Sequence, residues 1–277
     1  MTTAGEFLHN ATQTLETAGI ESARLDCLIL LEDTLKRDRA SIIASPEIEI
    51  EPADIRKLNK QIVQRTGHVP LAYIRGRSAF YGRNFIISQG VLVPRPETEA
   101  MITLLDAINF DLPAGSEPLH IADIGTGSGC LGITAALEVP GSTIDLYDID
   151  AAALDCAGRN ASKHHVHAGL YREDLLSGAH NRHYDVLLAN LPYVPTGYPI
   201  NEAAKHEPEI ALFSGTDGLT AYRQLWKQIQ ELKRQPTYVL TEALELQHAS
   251  LVALAKAAGF THIATDGLVQ QFKAVTA

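Results

Sequence analysis

Cysteine is scarce in this 277-residue chain: Cys27, Cys130 and Cys156 stand far apart, and none belongs to a Cys-x-x-Cys pair. That excludes a disulfide framework and a cysteine zinc site, and it suits reduced thiols. Long apolar runs are missing as well, so no membrane span is expected. The opening Met1-Thr-Thr-Ala-Gly-Glu-Phe7 has neither the basic stretch nor the apolar core of an export signal, and the expected location is the cytoplasm. A basic excess is absent too: 23 Lys+Arg against 33 Asp+Glu give a net charge of −10. A protein that holds phosphate backbones by charge is usually basic, so tight unaided nucleic-acid binding is not expected. The imbalance is local, because residues 1–97 carry 12 basic and 12 acidic side chains and the remainder 11 and 21. Internal repeats and low-complexity tracts are also missing.

What is present is the 45% hydrophobic content of an ordinary globular protein, on a length that suits one large domain and one small one. Up to about residue 70 the pattern is helical. Phe7, Leu8, Ala11, Leu15 and Ala18 recur at helical spacing before Gly19. Ser22 is placed to cap a second helix, Asp38-Arg-Ala-Ser-Ile-Ile-Ala44 is a short third piece, and Glu51-Pro52 opens a fourth. The expectation is a small helical bundle. After Gly67–Gly76 the pattern changes. Ser78–Ser88 predicts two short strands turning at Gly82, and Val91-Leu-Val-Pro-Arg-Pro-Glu-Thr-Glu99 an extended segment running into a helix. On composition, Arg95 and Glu97 belong to a solvated turn.

From Leu119 strands and helices alternate. Strands are predicted at 119–125, 142–148, near 169–172, 184–189, 237–242, 261–265 and 269–275, the last pair antiparallel across Asp266-Gly267. Alternation of this kind means a doubly wound α/β sheet, with its ligand crevice at the carboxyl ends of the strands.

Two stretches fall at such ends. Gly125-Thr126-Gly127-Ser128-Gly129 follows a strand and precedes a helix, where glycines let backbone approach a ligand closely. It is neither a dinucleotide fingerprint nor a P-loop nor a nucleophile elbow. Asp148 ends the next strand and can accept both hydroxyls of a ribose. A nucleoside site without a phosphate cradle points to S-adenosylmethionine. Asp123 is placed to anchor the loop, and Asp174 to meet an adenine edge. Farther on, Asn190-Leu191-Pro192-Tyr193 ends a strand in a proline-stiffened loop. The Asn190 side chain and the Leu191 carbonyl offer acceptors for the N–H bonds of a planar amide or amino group, and Tyr193 offers a ring to pack on it. His164, His165 and His167 cluster in a polar loop, and no metal site is expected. Tyr222 and Trp226 read as core.

In that order, the glycine loop, the strand-two acid and the Asn-x-Pro-Tyr loop resemble a class I (Rossmann-like) amino methyltransferase. Pro70-Leu-Ala-Tyr-Ile-x-Gly76, Phe80-Tyr-Gly82, Val91–Glu99 and His206-Glu-Pro-Glu-Ile-Ala-Leu212 with Asp217-Gly-Leu-Thr-Ala-Tyr222 resemble the HemK-type protein-(glutamine-N5) methyltransferases over nearly the whole chain. The resemblance implies a doubly wound seven-stranded sheet with an antiparallel last strand, plus a small N-terminal helical bundle. It implies a substrate-recognition domain over 1–75, a β-hairpin linker over 76–95 and an S-adenosylmethionine-dependent domain over 96–277, in a monomer. The donor would be held by Gly125, Thr126, Gly127, Ser128, Gly129, Asp148, Asp174, Leu175 and Asn190. Asn190, Leu191, Pro192 and Tyr193 would present the glutamine of the Gly-Gly-Gln loop of peptide-chain release factors. Where the family carries a second proline, this chain has Leu191, whose backbone carbonyl is the acceptor. An adenine or cytosine amino group in RNA or DNA is the alternative substrate, because the same loop serves a flipped base.

Overall fold

The structure, a computed structural model, describes residues 2–110 and 117–275. The expected catalytic domain at 96–277 therefore includes two stretches, 111–116 and 276–277, outside the described residues. The chain divides into two compact units. One runs to Gly76 and takes in Asn201–His206; the other comprises Arg77–Ile200 and the chain from Glu207.

The first unit is helical. It holds α1 (Ala4–Thr17), α2 (Ala23–Leu35), α3 (Arg39–Ala44), α4 (Pro52–Thr66) and α5 (Leu71–Arg75). Thr3 and Glu6 close a capping box at the head of α1, and Phe7, Ala11 and Leu15 form its buried stripe. Asp38 caps α3 through the Ser41 N–H. Ser22, expected to cap α2, makes no side-chain cap bond. The helix is fixed instead by what it buries, Cys27, Leu30 and Leu31, and by two ion pairs. Arg65 reaches Asp26 and Arg75 reaches Asp33, each at 2.7 Å. The short α5 lies within the 67–76 stretch, where the sequence signals only a change of pattern. Gly76 ends it in the left-handed region at φ 69°.

The second unit opens with the antiparallel hairpin β1 (Arg77–Phe80) and β2 (Arg83–Ile86). Tyr81 and Gly82 turn it with φ of 48° and 70°, the two positive values of a type I′ turn. A 3-10 turn over Pro96–Thr98 leads into α6 (Glu99–Phe110). There follow β3 (His120–Ile124), α7 (Cys130–Glu138), β4 (Thr143–Asp148), α8 (Ala151–Lys163), β5 (Ala168–Arg172), β6 (Val186–Ala189) and α9 (Glu209–Leu212). The unit closes with α10 (Thr220–Glu231), β7 (Tyr238–Glu242), α11 (His248–Ala257), β8 (Phe260–Asp266) and β9 (Val269–Ala274).

Among the described residues the main sheet has seven strands in the order β5-β4-β3-β6-β7-β9-β8. β3 to β7 run parallel to one another, whereas β9 lies antiparallel to both its neighbours, β7 and β8. β6 is buried at every position, as an unbroken apolar run requires in the middle of a parallel sheet. The strand order reverses between β3 and β6, so the crevice opens at their carboxyl ends. One face packs around Tyr222, Trp226, Phe260 and Phe272, with the Trp226 and Phe272 rings 5.4 Å apart and edge to face.

Candidate active site

At those carboxyl ends lies a cavity of about 390 Å³. Gly125, Thr126, Gly127, Ser128, Asp148, Asp174, Leu175, Asn190, Leu191 and Pro192 all line it. Two expected site residues do not. Gly129 turns the loop into α7, and Tyr193 sits half-buried against the core behind the cavity wall.

The glycine loop leaves β3 with φ of 71°, 55° and 79° at Gly125, Gly127 and Gly129, a region that strains any residue with a Cβ. At Gly129 space is short as well: a Cβ would stand 2.9 Å from Ile133 Cδ1 and 3.1 Å from Ala157 Cα. At Gly125 it would stand 3.0 Å from Leu191 Cδ2, so the Leu191 side chain fills the space behind the loop. Asp123, fully buried at the end of β3, accepts the Thr126 hydroxyl at 2.6 Å and the Gly132 N–H at 2.9 Å. Desolvation pushes its pKa up to about 6. Asn160 of α8 braces the loop from outside. It donates to Ser128 O at 2.8 Å and to Ile86 O at 2.9 Å, and it accepts the Ile86 N–H.

Asp148 is tied to the same loop. Its Oδ2 accepts the Gly127 N–H and its Oδ1 the Asp150 N–H, each at 2.9 Å. A carboxylate has about four acceptor sites, so capacity remains on both oxygens. Burial is the main reason its pKa is raised. The half-exposed Ile149 beside it adds an apolar wall that the sequence did not single out. Opposite, Gln224 of α10 donates to Asp174 Oδ2 at 2.7 Å, and Gln228 Oε1 accepts the Leu176 N–H at 2.7 Å. Helix α10 thus fixes the turn in which Leu175 adopts φ 55°.

Asn190 shows how a carboxamide is oriented. Its Nδ2 donates to Thr98 Oγ1 at 2.9 Å, and among the described residues no hydrogen bond reaches its Oδ1. The donor face is held by protein and the carbonyl is left over. The Leu191 N–H donates to the Tyr222 hydroxyl at 3.3 Å, and that hydroxyl lies 3.0 Å from Ala189 O and 2.5 Å from Glu242 O. One buried phenol therefore fixes the peptide at the strand end. The Tyr193 hydroxyl donates to Glu242 Oε1 at 3.0 Å, and burial raises its pKa. Gln247 donates to Tyr193 O at 2.8 Å and holds the loop from below.

Arg95 is not in a solvated turn. Its Nη2 donates to both carboxylate oxygens of Glu207, at 2.9 and 2.8 Å, and Glu207 is buried. The pair joins two segments that the sequence marked separately, and Arg95 lines the cavity. Among the described residues no cluster of three metal-ligating side chains exists, and no helix is long and apolar enough to cross a membrane.

Comparison with known proteins agrees with this geometry. The family described as the PrmC N-terminal domain matches residues 6–76, and the methyltransferase small domain matches residues 103–206. A release factor glutamine methyltransferase of Coxiella burnetii is 34% identical over 93% of this chain and 92% of its own length. One from Koribacter versatilis is 32% identical over 87% of this chain and 86% of its own. Among solved structures, the T. thermophilus 16S rRNA N2 G1207 methyltransferase in complex with AdoMet and guanosine superposes with a TM-score of 0.50 at 14% identity. That match covers 73% of this chain and 50% of the other, and it establishes a shared methyltransferase fold. With one relative that similar along almost its entire length, the chain belongs to the release factor glutamine methyltransferase family of enzymes.

Proposed function

We propose that this enzyme transfers the methyl group of S-adenosylmethionine to the side-chain amide nitrogen of the glutamine in the Gly-Gly-Gln motif of peptide-chain release factors. The observation that carries the reading is the set of the Asn190 carboxamide: Nδ2 is engaged by Thr98, and Oδ1 has no bond from the described residues. A site built to accept N–H bonds suits a primary amide.

The residues present fit the donor. Gly125 and Gly127 bring bare backbone to the cavity, and a Cβ position at Gly127 meets only Val91 Cγ1 at 3.9 Å, which suits its methionine end. Asp148 keeps acceptor capacity for its ribose hydroxyls, and Asp174 with Leu175 borders its adenine. When bound, its sulfonium supplies an activated methyl group. The protein's part is to orient the acceptor. A glutamine nitrogen is a poor nucleophile because its lone pair is delocalised into the carbonyl. Asn190 Oδ1 and the Leu191 carbonyl accept its two N–H bonds. As positive charge grows on nitrogen both bonds strengthen, so the contribution falls on the transition state and not on the bound substrate. Pro192 stiffens the loop that carries these acceptors, and Tyr193, packed behind the cavity wall, backs that loop. The experiment is incubation with labelled S-adenosylmethionine and purified release factors, RNA and DNA. Label on the Gly-Gly-Gln glutamine is the expected result; label on nucleic acid alone overturns the substrate.

Asp148→Ala is expected to weaken donor binding by about 1.5–3 kcal/mol, the scale of charge-assisted hydrogen bonds. The same site predicts a pH dependence. Asp148 accepts ribose hydroxyls best when ionised, so affinity is full above its pKa and lost below it. Because burial raises that pKa, the loss sets in at higher pH than an ordinary aspartate would give. Calorimetry across the acid range checks both, and a flat profile or an unchanged Asp148→Ala affinity removes Asp148 from the site.

On this reading residues 1–75 recognise the release factor, 76–95 form the linker, and 96–277 carry out transfer in a cytoplasmic monomer that binds nucleic acid weakly. A 77–277 fragment is then expected to keep donor binding and to lose release-factor affinity. Equal affinity of the fragment and the full chain for release factor refutes the assignment.

A further inference from the structure

The turn that follows β5 borders the cavity with Asp174 and Leu175, and two glutamines hold it from α10. Gln224 and Gln228 stand four residues apart, on one flank of the helix beside its buried stripe of Tyr222, Leu225, Trp226 and Ile229. Gln224 Nε2 donates to Asp174 Oδ2 at 2.7 Å. Gln228 spans the turn: its Oε1 accepts the Leu176 N–H at 2.7 Å, and its Nε2 donates to Asp174 O at 3.3 Å. Neither amide can be reversed, because a carboxylate or a carbonyl accepts only from NH2 and a backbone N–H donates only to oxygen.

Gln228 therefore closes bonds on both sides of Leu175, a residue with a Cβ that lies in the left-handed region at φ 55°. Such backbone is strained and persists where its surroundings over-determine it. Gln228 supplies that constraint from outside the cavity lining, whereas Gln224 belongs to the lining. Among the described residues Asp174 Oδ1 closes no hydrogen bond, and neither does the Leu175 N–H. The turn thus offers an acceptor and a donor on adjacent residues. A 6-aminopurine presents the complement, an exocyclic N–H beside a ring-nitrogen acceptor. A 6-oxopurine presents the reverse, an oxygen beside a ring N–H.

We propose that Gln224 and Gln228 are positioning residues that pre-form this purine-reading edge, and that through it they set the preference of the donor site for an adenosyl over an inosyl group. The inference rests on the reading of Asp174 as the residue that meets the adenine.

The test is calorimetry on the full-length chain with S-adenosylhomocysteine and with S-inosylhomocysteine, its 6-oxopurine counterpart. Wild type is expected to prefer the adenosyl compound about 10–100-fold, the worth of a well-placed contact to a base edge. Gln224→Met keeps the length of the side chain but has no N–H to give. It is expected to lose about tenfold in adenosyl affinity, one hydrogen bond to a charged group, and to keep its inosyl affinity within about twofold. The preference falls accordingly, and Gln228→Met is expected to shift it in the same direction. A merely loosened fold weakens both compounds alike. In an Asp174→Ala background, Gln224→Met is expected to change neither affinity by more than about twofold, because its effect passes through that carboxylate. Undiminished preference in a folded Gln224→Met or Gln228→Met variant, equal losses for the two compounds, or a further loss of preference when Gln224→Met is added to Asp174→Ala overturns the proposal. A wild type that binds both compounds equally refutes the reading of Asp174 and this inference with it, and one that binds neither refutes the donor site itself.

Discussion

Asn190→Ala is expected to slow methyl transfer by about 10²–10³-fold while donor affinity stays near wild type, because one transition-state hydrogen bond is lost and the glycine loop is untouched. The structure also decides the outcome for Asn190→Asp. An aspartate keeps an acceptor oxygen, so it would be the milder change if acceptance were all that mattered. Here Nδ2 donates to Thr98 Oγ1 at 2.9 Å, so the amide hydrogen is in use as well as the carbonyl. An aspartate gives Thr98 no hydrogen and adds a negative charge to a cavity already lined by Asp123, Asp148 and Asp174. Asn190→Asp is therefore expected to be as damaging as Asn190→Ala. Single-turnover transfer to release factor measures both, with the Gly-Gly-Gln glutamine replaced as the control. Wild-type rates from Asn190→Ala remove the residue from the chemistry.

Gly218→Ala is the second large effect. Gly218 adopts φ 78°, and a Cβ there would run into the Tyr193 carbonyl oxygen and Gln247 Nε2. That nitrogen donates to Tyr193 O and to Asp217 O, each at 2.8 Å, while Gln247 Oε1 accepts the Leu244 N–H at 3.0 Å. The methyl group would drive apart the brace that sets the acceptor loop. Left-handed strain and overpacking together predict a stability loss of about 2–5 kcal/mol. Transfer should fall in the protein that remains folded. Gly259→Ala is the control, because Gly259 has φ 87° but nothing within 4 Å of its Cβ position. It should show only the backbone cost of about 1–2 kcal/mol. Chemical denaturation of the two variants separates the effects, and equal losses would dismiss the brace.

Parts of this architecture are legible in the sequence because they are local. Gly125–Gly129 and Asp148 announce a strand, a loop, a helix and a second strand within a few dozen residues, and Asn190 and Pro192 mark a strand end by chemistry alone. The antiparallel pairing of β8 with β9 follows from the short turn at Asp266-Gly267. What supports the site was not legible, because it comes from far along the chain. Thr98 lies 92 residues from Asn190, Glu242 lies 49 from Tyr193, and Arg95 meets Glu207 across 112. Nothing in local periodicity reports such pairs. Local sequence offers the Tyr193 ring as a surface for the substrate; that its hydroxyl bonds inward to Glu242 is a long-range contact no local pattern reports. Helix α5 escaped notice because five residues after a proline carry too few apolar repeats to signal a helix.

The placing of β9 has a consequence for biosynthesis. The sheet is not completed in the order in which the chain is made: residues 269–274 are inserted between 238–242 and 260–266. Until Ala274 has left the ribosome, β7 has a bare flank, and β8 has no partner through which to join the sheet. A nascent chain that stalls before this point exposes an unpaired, largely apolar edge of the kind that recruits other chains. It also leaves Glu242 at the end of an unsupported strand. The sheet is thus complete only once residues 269–274 are added, and chains ending before residue 269 are expected to be aggregation-prone.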